Sequence, residues 1–531
     1  MVHWKTWAGL FAILILSACG KKEPSSGGGS SSSPDKPADK DTGRTDGGEL
    51  GDPPPWDEAK YPLLPDMDMY KTEDYRDIEQ IKDADKVYRL WLTKEFKEFP
   101  KVILECKRLQ MLWLQAKVGT IPKELFALRN LQRLGLQSGE HPALPREVGW
   151  LTNLVELSIG NNKFTVLPKE IGRLKKLKGL SVGSNQLTSL GEGVCELERL
   201  EQLDLSSNKI KALPKEIGRL KALKNLNLNG NQLEALPEEI LQLENLEDLA
   251  VGWNKLEALP EIGRLKKLRA FTFHDNPRLK KLPESFAELN LAYVYMSRCA
   301  SLDLADTFAK LARHAKLQNL SLENVRNADV SLFATVFGGP PKDAAPLEVP
   351  ESIGDLKGLR ELDLSYNVFT EGGGEKLFAG LAKLQALEEL SLDSCYLVKV
   401  SAAAENLTAL KRLKLGSTPI KDLPAGIAKL GALETLDLRR CQNLASLPPL
   451  QGLSKLKNLW LWSTAIESLP SLEGLTSLEE ISLYGCKKFT QAPSLDGLVN
   501  LKKLDLEGTA VPKEAVEELK KKYPKVSINF K

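Results

Sequence analysis

The sequence predicts an α/β solenoid of about eighteen repeats, with a parallel sheet along its concave side. A leucine-containing pattern returns mostly every 22 or 23 residues from Val87 towards the C-terminal end. Within each copy, apolar and polar residues alternate over a short stretch, as in a strand that is buried on one side. Hydrophobic residues make up 42% of the chain but aromatic residues only 6%, which is typical of a solenoid whose layers are filled by one apolar residue type.

The N-terminal residues have the features of an export signal. A short basic start at Lys5 precedes an apolar run over 7–16, and about ten residues are too few to span a bilayer as a helix. Residues 16–19, Leu-Ser-Ala-Cys, resemble a bacterial lipobox, which implies a signal peptide over 1–18 and lipidation of Cys19. An ordinary secretory peptide with a chance cysteine is the alternative. Gly20 resembles the outer-membrane sorting pattern, so we expect a lipid-anchored protein of the bacterial cell envelope, in the outer membrane.

A low-complexity stretch follows the lipobox. Residues 19–61 are rich in Ser, Gly, Pro and Lys, so almost none of this stretch can be buried. We therefore expect a disordered linker with a reach of roughly 35 Å.

The repeat unit reads L-x-x-L-x-L-x-x-N-x-L-x-x-L-P, and its clearest copies span 200–214 and 223–237. This pattern is identified as that of the leucine-rich-repeat family, and it resembles the plant-disease-resistance-like and Ras-scaffold-like subclasses. Taking the first leucine of the unit as position one, the eighteen first positions are Val87, Leu109, Leu131, Leu154, Leu177, Leu200, Leu223, Leu246, Leu268, Leu291, Leu317, Leu359, Leu387, Leu410, Leu433, Leu456, Leu478 and Leu501.

Each part of the unit has an expected structural role. The alternating core forms a strand whose leucines point inward, and the segment after Leu-Pro forms a short helix or helical turn on the convex side. Position nine is expected to form a buried polar ladder that satisfies backbone groups where the chain leaves the strand. Asparagine holds this position at Asn162, Asn185, Asn208, Asn231, Asn254, Asn276 and Asn367. The second half of the solenoid uses Cys or Thr instead, at Cys299, Cys395, Thr418, Cys441, Thr464, Cys486 and Thr509.

The solenoid is predicted to span 87–524, with an irregular insert over about 303–350. Within and beside the insert, 303–316 and 372–384 read as longer convex helices, and 331–350 reads as a loop. Residues 62–86 are expected to cap the N-terminal end, with an amphipathic helix over 72–85. A helix over 513–522 and a closing strand within 525–531 are expected to cap the C-terminal end.

Enzymatic and nucleic-acid functions are disfavoured. Lys and Arg number 73 against 71 Asp and Glu, so no strongly basic face is expected. The chain has no phosphate-binding loop, nucleophile elbow or H-E-x-x-H motif, and its cysteines lack metal-ligand spacing. His274 beside Asp275 resembles a catalytic dyad, but adjacent residues at a strand end are expected to point apart. We therefore predict no enzyme activity, no cofactor and no metal, and we expect the six cysteines beyond Cys19 to be buried thiols.

Candidate binding residues are aromatic side chains at outward positions of the concave strands, since Trp, Tyr and Arg dominate binding hot spots. One predicted group is Trp460, Trp462 and Tyr484 with Arg439 and Arg440. A second group is Trp253, His274, Tyr293 and Tyr295. Trp91 and Trp113 form a third pair, and for all of them the alternative is that the rings pack on each other or under an end cap.

Three functions are compatible with these features. The first is recognition of a protein partner by the concave face of a module held at the membrane by its N-terminal lipid. The second is carbohydrate or peptidoglycan binding by the aromatic groups, and the third is a passive structural envelope protein. Because the fold alone does not specify a ligand, the aromatic groups are the observation on which the first hypothesis depends.

Overall fold

The computed structural model of the chain describes residues 50–115, 117–326, 345–370 and 372–530. The predicted signal peptide, Cys19, most of the linker and most of the loop at 331–350 lie outside these ranges. Among the described residues, no helix is both long enough and apolar enough to cross a membrane.

The sheet contains twenty parallel strands within the described residues, and each strand pairs with the next one along the chain. This arrangement confirms the predicted solenoid. The strands are β1 (Asp74–Tyr75), β2 (Arg89–Leu92), β3 (Met111–Leu114), β4 (Arg133–Leu136), β5 (Glu156–Ser158), β6 (Gly179–Ser181), β7 (Gln202–Asp204), β8 (Asn225–Asn227), β9 (Asp248–Ala250), β10 (Ala270–Thr272), β11 (Tyr293–Tyr295), β12 (Asn319–Ser321), β13 (Glu361–Asp363), β14 (Glu389–Ser391), β15 (Arg412–Lys414), β16 (Thr435–Asp437), β17 (Asn458–Trp460), β18 (Glu480–Ser482), β19 (Lys503–Asp505) and β20 (Ser527–Asn529).

Strand register keeps each repeat position in a row along the solenoid. Leu226 on β8 lies opposite Leu203 on β7 and Leu249 on β9, and all three side chains are buried. Because successive side chains of a strand point to opposite faces, the residues on either side of these leucines point to the concave surface. Outward positions of neighbouring repeats therefore lie side by side, about 4.8 Å apart.

The asparagine ladder is confirmed. Asn208 donates through Nδ2 to the carbonyl oxygens of Val182 at 3.1 Å and Leu205 at 3.0 Å, and its Oδ1 accepts from the backbone N–H of Leu187 at 3.0 Å. One amide thus satisfies backbone groups in its own repeat and in the preceding one. Asn231 and Asn254 repeat this pattern, which links consecutive turns of the solenoid.

Cysteine and threonine replace asparagine in the later repeats, and the predicted burial of the thiols is confirmed. The Cys441 Sγ lies 3.1 Å from the carbonyl oxygen of Leu415 and 3.4 Å from Thr418 Oγ1. Burial raises the pKa of the Cys441 thiol to about 11, so the protonated thiol donates the bond to the carbonyl. The cysteines of the described chain are all buried and unpaired.

The last six repeats follow a two-repeat period. Position nine alternates between Cys and Thr, while position two alternates between Glu and Lys. Along this flank, Lys411 pairs with Glu388 at 2.7 Å and Lys457 pairs with Glu434 at 2.8 Å. Opposite charges therefore meet between neighbouring repeats in this part of the solenoid.

The convex side carries 3-10 helices, which confirms the predicted helical turns. Most follow the proline of the repeat, which fixes the backbone angle at the start of the turn. They span Ile78–Gln80, Ala84–Lys86, Lys123–Ala127, Arg146–Trp150, Lys169–Arg173, Glu192–Glu196, Lys215–Arg219, Glu238–Gln242, Ile262–Arg264, Glu284–Glu288, Glu351–Asp355, Ala402–Asn406 and Ala425–Lys429. The first two belong to the N-terminal cap.

Five α-helices occur among the described residues: α1 (Asp66–Met69), α2 (Val102–Glu105), α3 (Leu304–Leu311), α4 (Gly373–Leu381) and α5 (Lys513–Lys522). The helices α3 and α4 confirm the two longer convex helices, although both are shorter than predicted. Asp303 is the N-cap of α3, and its side chain accepts a hydrogen bond from the Asp306 N–H at 3.1 Å. The helix α5 and the strand β20, which pairs with β19, confirm the C-terminal cap.

The predicted helix over 72–85 is wrong. The segment instead contains β1, which pairs with β2, and two 3-10 turns. Asp77 and Asp83 accept hydrogen bonds from backbone N–H groups two residues later, and these local bonds favour turns over a continuous helix. Pairing with the exposed edge of β2 further stabilises an extended backbone before the turns.

Residues 50–70 form an N-terminal arm along the first three repeats. The Trp150 Nε1 donates to the carbonyl oxygen of Gly51 at 3.0 Å, and Asn130 Nδ2 donates to that of Tyr61 at 2.9 Å. Gln110 bonds both backbone groups of Leu64 at 2.9 Å. The expectation of disorder for 19–61 therefore does not hold for residues 50–61, which the repeats bind through their backbone.

Candidate functional site

The backbone at position eight separates the concave strand from the ascending loop. In each of repeats three to eighteen the residue at this position has a positive φ. A left-handed backbone suits Gly and is tolerated by Asn, Asp and Ser, which occupy most of these positions. The large exceptions are Trp253 (φ 49°), Arg298 (φ 51°), Tyr366 (φ 59°) and Arg440 (φ 59°).

Two of these exceptions have internal partners and two face solvent. Arg298 holds Asp275 through two hydrogen bonds of 2.7 and 3.0 Å, and Tyr366 packs against Val368. Trp253 remains 41% exposed and Arg440 is exposed. A strained conformation retained without burial of the side chain points to a functional role, and both residues belong to the predicted binding groups.

The C-terminal surface consists of Arg439, Arg440, Trp460, Trp462 and Tyr484. The structure brings the first four into contact, because β16 and β17 pair and place positions five to eight of repeats 15 and 16 side by side. The Arg439 guanidinium lies 5.1 Å from the Trp460 ring centroid and 5.8 Å from that of Trp462, and Arg440 lies 4.7 Å from the Trp462 ring. Tyr484 lies one repeat further and is 46% exposed.

The two arginines of the C-terminal surface differ electrostatically. Arg439 donates from Nε to both oxygens of the buried Asp437, at 2.7 and 2.8 Å, so its charge is neutralised. This hydrogen bonding is the main cause that raises the pKa of Arg439 further. Arg440 makes no ion pair with a described residue, and stacking on Trp462 leaves its guanidinium edges accessible to a partner.

The central surface consists of Trp253, His274, Tyr293 and Tyr295, surrounded by the carboxylates Asp248, Glu323, Glu361 and Asp363. It occupies repeats eight to twelve. The rings of Trp253 and His274 meet edge to face at 4.6 Å, and the His274 ring lies over Gly252, where a Cβ would come within 2.2 Å of it. Tyr295 is 41% exposed on the strand beyond.

The prediction that His274 and Asp275 point apart is wrong, since His274 Nε2 lies 3.9 Å from Asp275 Oδ2. The reason is the left-handed backbone at Asp275, which turns its side chain back towards the strand. Asp275 is nevertheless engaged by Arg298, and His274 Nδ1 is buried without a hydrogen-bond partner. Burial lowers the pKa of His274, so this imidazole is a neutral packing group beneath Trp253.

Trp91 and Trp113 lie in register on β2 and β3 and stack, with centroids 5.6 Å apart and planes inclined by 26°. The N-terminal arm adds an aromatic residue at this end that the sequence did not indicate. The Tyr70 ring lies 5.7 Å from the Arg89 guanidinium and 5.4 Å from that of Arg133. Tyr70 lies beside these arginines only because the arm folds back over the first repeats. The spacing of the repeats therefore could not predict its position.

Other sites for chemistry are few in the described ranges. No group of three His, Cys, Asp or Glu side chains there is arranged to hold a metal ion. A cavity of about 840 Å³ lies among the ascending loops of the first three repeats, and its lining includes Lys117, Glu140 and His141. The ion pairs of Glu140 with Lys117 and Lys163 lower the pKa of this carboxyl to about 2. None of the predicted aromatic residues lines this cavity.

Comparison with protein families gives consistent matches to repeats. A family described as a leucine-rich repeat region matches residues 191–268 and 401–525. Two further families described as leucine-rich repeats match 152–210 and 359–378. No curated protein matches the sequence.

Solved structures show the same fold. A leucine-rich-repeat protein of Leptospira interrogans is 28% identical, with a TM-score of 0.58, over 86% of this chain and 100% of that one. A chain of the Drosophila Toll–Spatzle complex is 19% identical, with a TM-score of 0.53, over 83% of this chain and 61% of that one. The second likeness shows the fold alone.

Proposed function

We propose that this leucine-rich-repeat solenoid is a non-enzymatic module whose concave face recognises a protein partner. Repeat solenoids of this kind commonly bind partners through their extended concave surfaces. A chain of the Toll–Spatzle complex, which shares the fold, was solved with a protein bound. These features support recognition as the general function, and the residues below specify where it occurs.

The observation that carries the proposal is the stack of Arg440 on Trp462. Arg440 is held in a left-handed backbone, is exposed, and makes no ion pair with a described residue. Trp460 and Trp462 are partly exposed beside it. Arg439 contacts both rings, and its own position is fixed by its bond to Asp437. A rigid aromatic pair with an adjacent unneutralised guanidinium has the composition of a binding hot spot.

The test uses the chain from residue 20 onward, which retains every described residue, as bait for source-cell envelope proteins. The captured protein is purified, and its Kd is measured against wild type and the Trp460→Ala/Trp462→Ala double variant. We expect at least a hundredfold loss of affinity in the double variant. Trp56→Ala, which removes an aromatic ring of the N-terminal arm, is the matched control and should bind like wild type.

Other results of this experiment have definite meanings. Equal affinity of wild type and the double variant, with both stably folded, would refute the assignment of the site. Empty captures combined with binding on a glycan array would favour carbohydrate recognition through the same rings. Empty results in both assays would favour a passive structural role.

We also propose that a lipid on Cys19 anchors the chain to the bacterial envelope, in the outer membrane. The Leu-Ser-Ala-Cys sequence and the preceding apolar run support this proposal. Metabolic labelling with an alkyne fatty acid should label wild type and a Cys106→Ser control but not Cys19→Ser. Unlabelled wild type in the soluble fraction would instead indicate an ordinary secretory signal.

A further inference from the structure

We propose that the central surface binds an arginine-rich segment of the partner, with the guanidinium groups between its exposed rings and its unpaired carboxylates. This inference rests on the proposed function, because it names the kind of partner that the concave face recognises. It concerns repeats eight to twelve, whereas the hot spot described above lies in repeats 15 to 17.

The aromatic part of the surface has open ring faces. Trp253 and Tyr295 are each 41% exposed and lie two repeats apart, so their strands are about 10 Å apart. His274 packs against Trp253 and covers Gly252, so it supports the tryptophan from one side. Both rings therefore have exposed area on which a planar cationic group can stack.

The outward positions of repeats eight to twelve carry a net negative charge. They hold five carboxylates but only one basic side chain, Arg298, which is engaged by Asp275 at 2.7 Å. The other four carboxylates make no ion pair with a described residue; they are Asp248, Glu323, Glu361 and Asp363. Burial and the nearby Asp363 carboxylate raise the pKa of Glu323, which reflects this crowding of like charges.

Position three of the other repeats is built differently. Elsewhere, a carboxylate at position three has a cation at position three of a neighbouring strand. Glu156 pairs with Arg133 at 3.2 Å and Glu480 with Lys503 at 2.8 Å. Glu389 likewise pairs with Arg412.

In the central surface an asparagine stands where the cation would be. Asn225 donates its hydrogen bond to Asp248, and Asn319 donates to Glu361. The amides orient the carboxylates without removing their charge. Because neighbouring like charges destabilise a sheet, this departure from the pairing pattern indicates that the compensating cations come from a partner.

Arginine can interact with both the aromatic rings and the carboxylates of the central surface. Its guanidinium plane stacks on Trp and Tyr faces, and its donors bind carboxylates in pairs. Nucleic acids and anionic glycans would be repelled by the four carboxylates. From β9 to β13 the surface spans about 19 Å, which corresponds to roughly six residues of extended peptide and suits two or three arginines.

The experiment measures binding of three fluorescein-labelled octapeptides, which alternate Gly with Arg, Lys or Glu, to the chain from residue 20 onward. The surface variant is Glu323→Gln/Glu361→Gln/Asp363→Asn, which keeps the hydrogen-bond acceptors. The matched control is Glu238→Gln/Glu244→Gln/Asp355→Asn, which removes the same charge from exposed convex positions that make no ion pair within the described ranges. Thermal unfolding checks that every variant is folded.

We expect saturable binding of the arginine peptide, weaker binding of the lysine peptide and none of the glutamate peptide. The surface variant should lose at least tenfold in affinity for the arginine peptide, and the control less than twofold. Trp253→Ser, which installs the residue found at position eight in Ser184 and Ser207, should weaken the arginine peptide more than the lysine peptide.

Equal losses in both triple variants would overturn the inference, because they would indicate attraction by net charge alone. Absence of peptide binding to wild type would overturn it as well. If the wild-type chain self-associates and the surface variant does not, the surface binds a second copy of the chain, and the inference is again wrong. The proposed function fails separately. If the captured envelope protein requires Trp460 and Trp462 but tolerates the surface variant, recognition stands and the arginine inference is wrong.

Discussion

The indole ring of Trp113 lies across Gly135, its partner in register on the next strand. A Cβ placed on Gly135 would come within 2.0 Å of Trp113 Cε3, so the glycine leaves the space that the ring fills. Trp91 stacks on the other side of Trp113. For this pair the structure shows the packing arrangement: the rings stack on each other and on a glycine and remain partly exposed, whereas Trp253 and Tyr484 are exposed.

Gly135→Ala should displace Trp113 and disrupt its stack with Trp91. The free energy of unfolding should fall by about 1–3 kcal/mol, the usual cost of forcing extra volume into a packed site. Tryptophan fluorescence and near-ultraviolet circular dichroism would detect the displaced ring. Gly179→Ala is the control, because its added Cβ would meet its nearest neighbour only at 3.7 Å; equal spectral changes in both variants would contradict this account.

Arg440→Gly should stabilise the fold while weakening partner binding. The left-handed backbone at φ 59° disfavours a long L side chain, and glycine relieves this strain at the loss of one exposed stacking contact. We expect the free energy of unfolding to rise by about 1 kcal/mol in chemical denaturation. Asn161→Gly should gain less, since asparagine already tolerates this conformation. A destabilised Arg440→Gly variant would show that the arginine is a packing residue.

Asn208→Ala should cost about 2–4 kcal/mol of folding stability, because it leaves the Leu187 N–H and the Val182 and Leu205 carbonyls without their buried partner. Asn208→Thr should fall between wild type and alanine, since Thr418 in a later repeat donates to the Leu415 carbonyl at 2.7 Å. Urea unfolding measures both. Gln232→Ala, at a partly exposed loop position, is the control, and a similar loss there would contradict a special role for the ladder.

Stability should decrease as the pH rises from about 4 to 6, owing to Asp393. Burial and the neighbouring Asp437 raise the pKa of Asp393 from its ordinary value of 3.8 to about 6. The native state therefore binds a proton that the unfolded state has released in this window, so ionisation disfavours folding. Asp393→Asn, which keeps the acceptor for the Gly416 N–H, should remove this component and add up to about 3 kcal/mol at pH 7.

Thermal unfolding between pH 4 and 7 measures the effect. Asp422→Asn, an exposed carboxylate in the following loop, should leave the pH profile of wild type unchanged. An unaltered slope in Asp393→Asn would show that other groups control stability in this range.

Local sequence was sufficient to predict the strands, the ladder at Asn208 and the concave placement of Trp460 and Trp462. Each depends on a position within the repeat, and the repeat fixes the register. The helix predicted over 72–85 failed because Asp77 and Asp83 offer the backbone closer hydrogen-bond partners. The spacing of apolar residues, on which the helix prediction relied, contains no information about these competing hydrogen bonds.

The sequence by itself determined that the chain is a solenoid and which residues point to its concave face, because a 23-residue period and a two-residue alternation leave one arrangement that buries the strand leucines. The tertiary structure alone decided which of those residues are accessible to a binding partner. Packing against Gly135 covers part of Trp113, the bond to Asp437 neutralises Arg439, and Arg440 stays exposed in its left-handed turn. These outcomes depend on contacts between neighbouring repeats, where the fit of one side chain is set by another about 23 residues away in the chain.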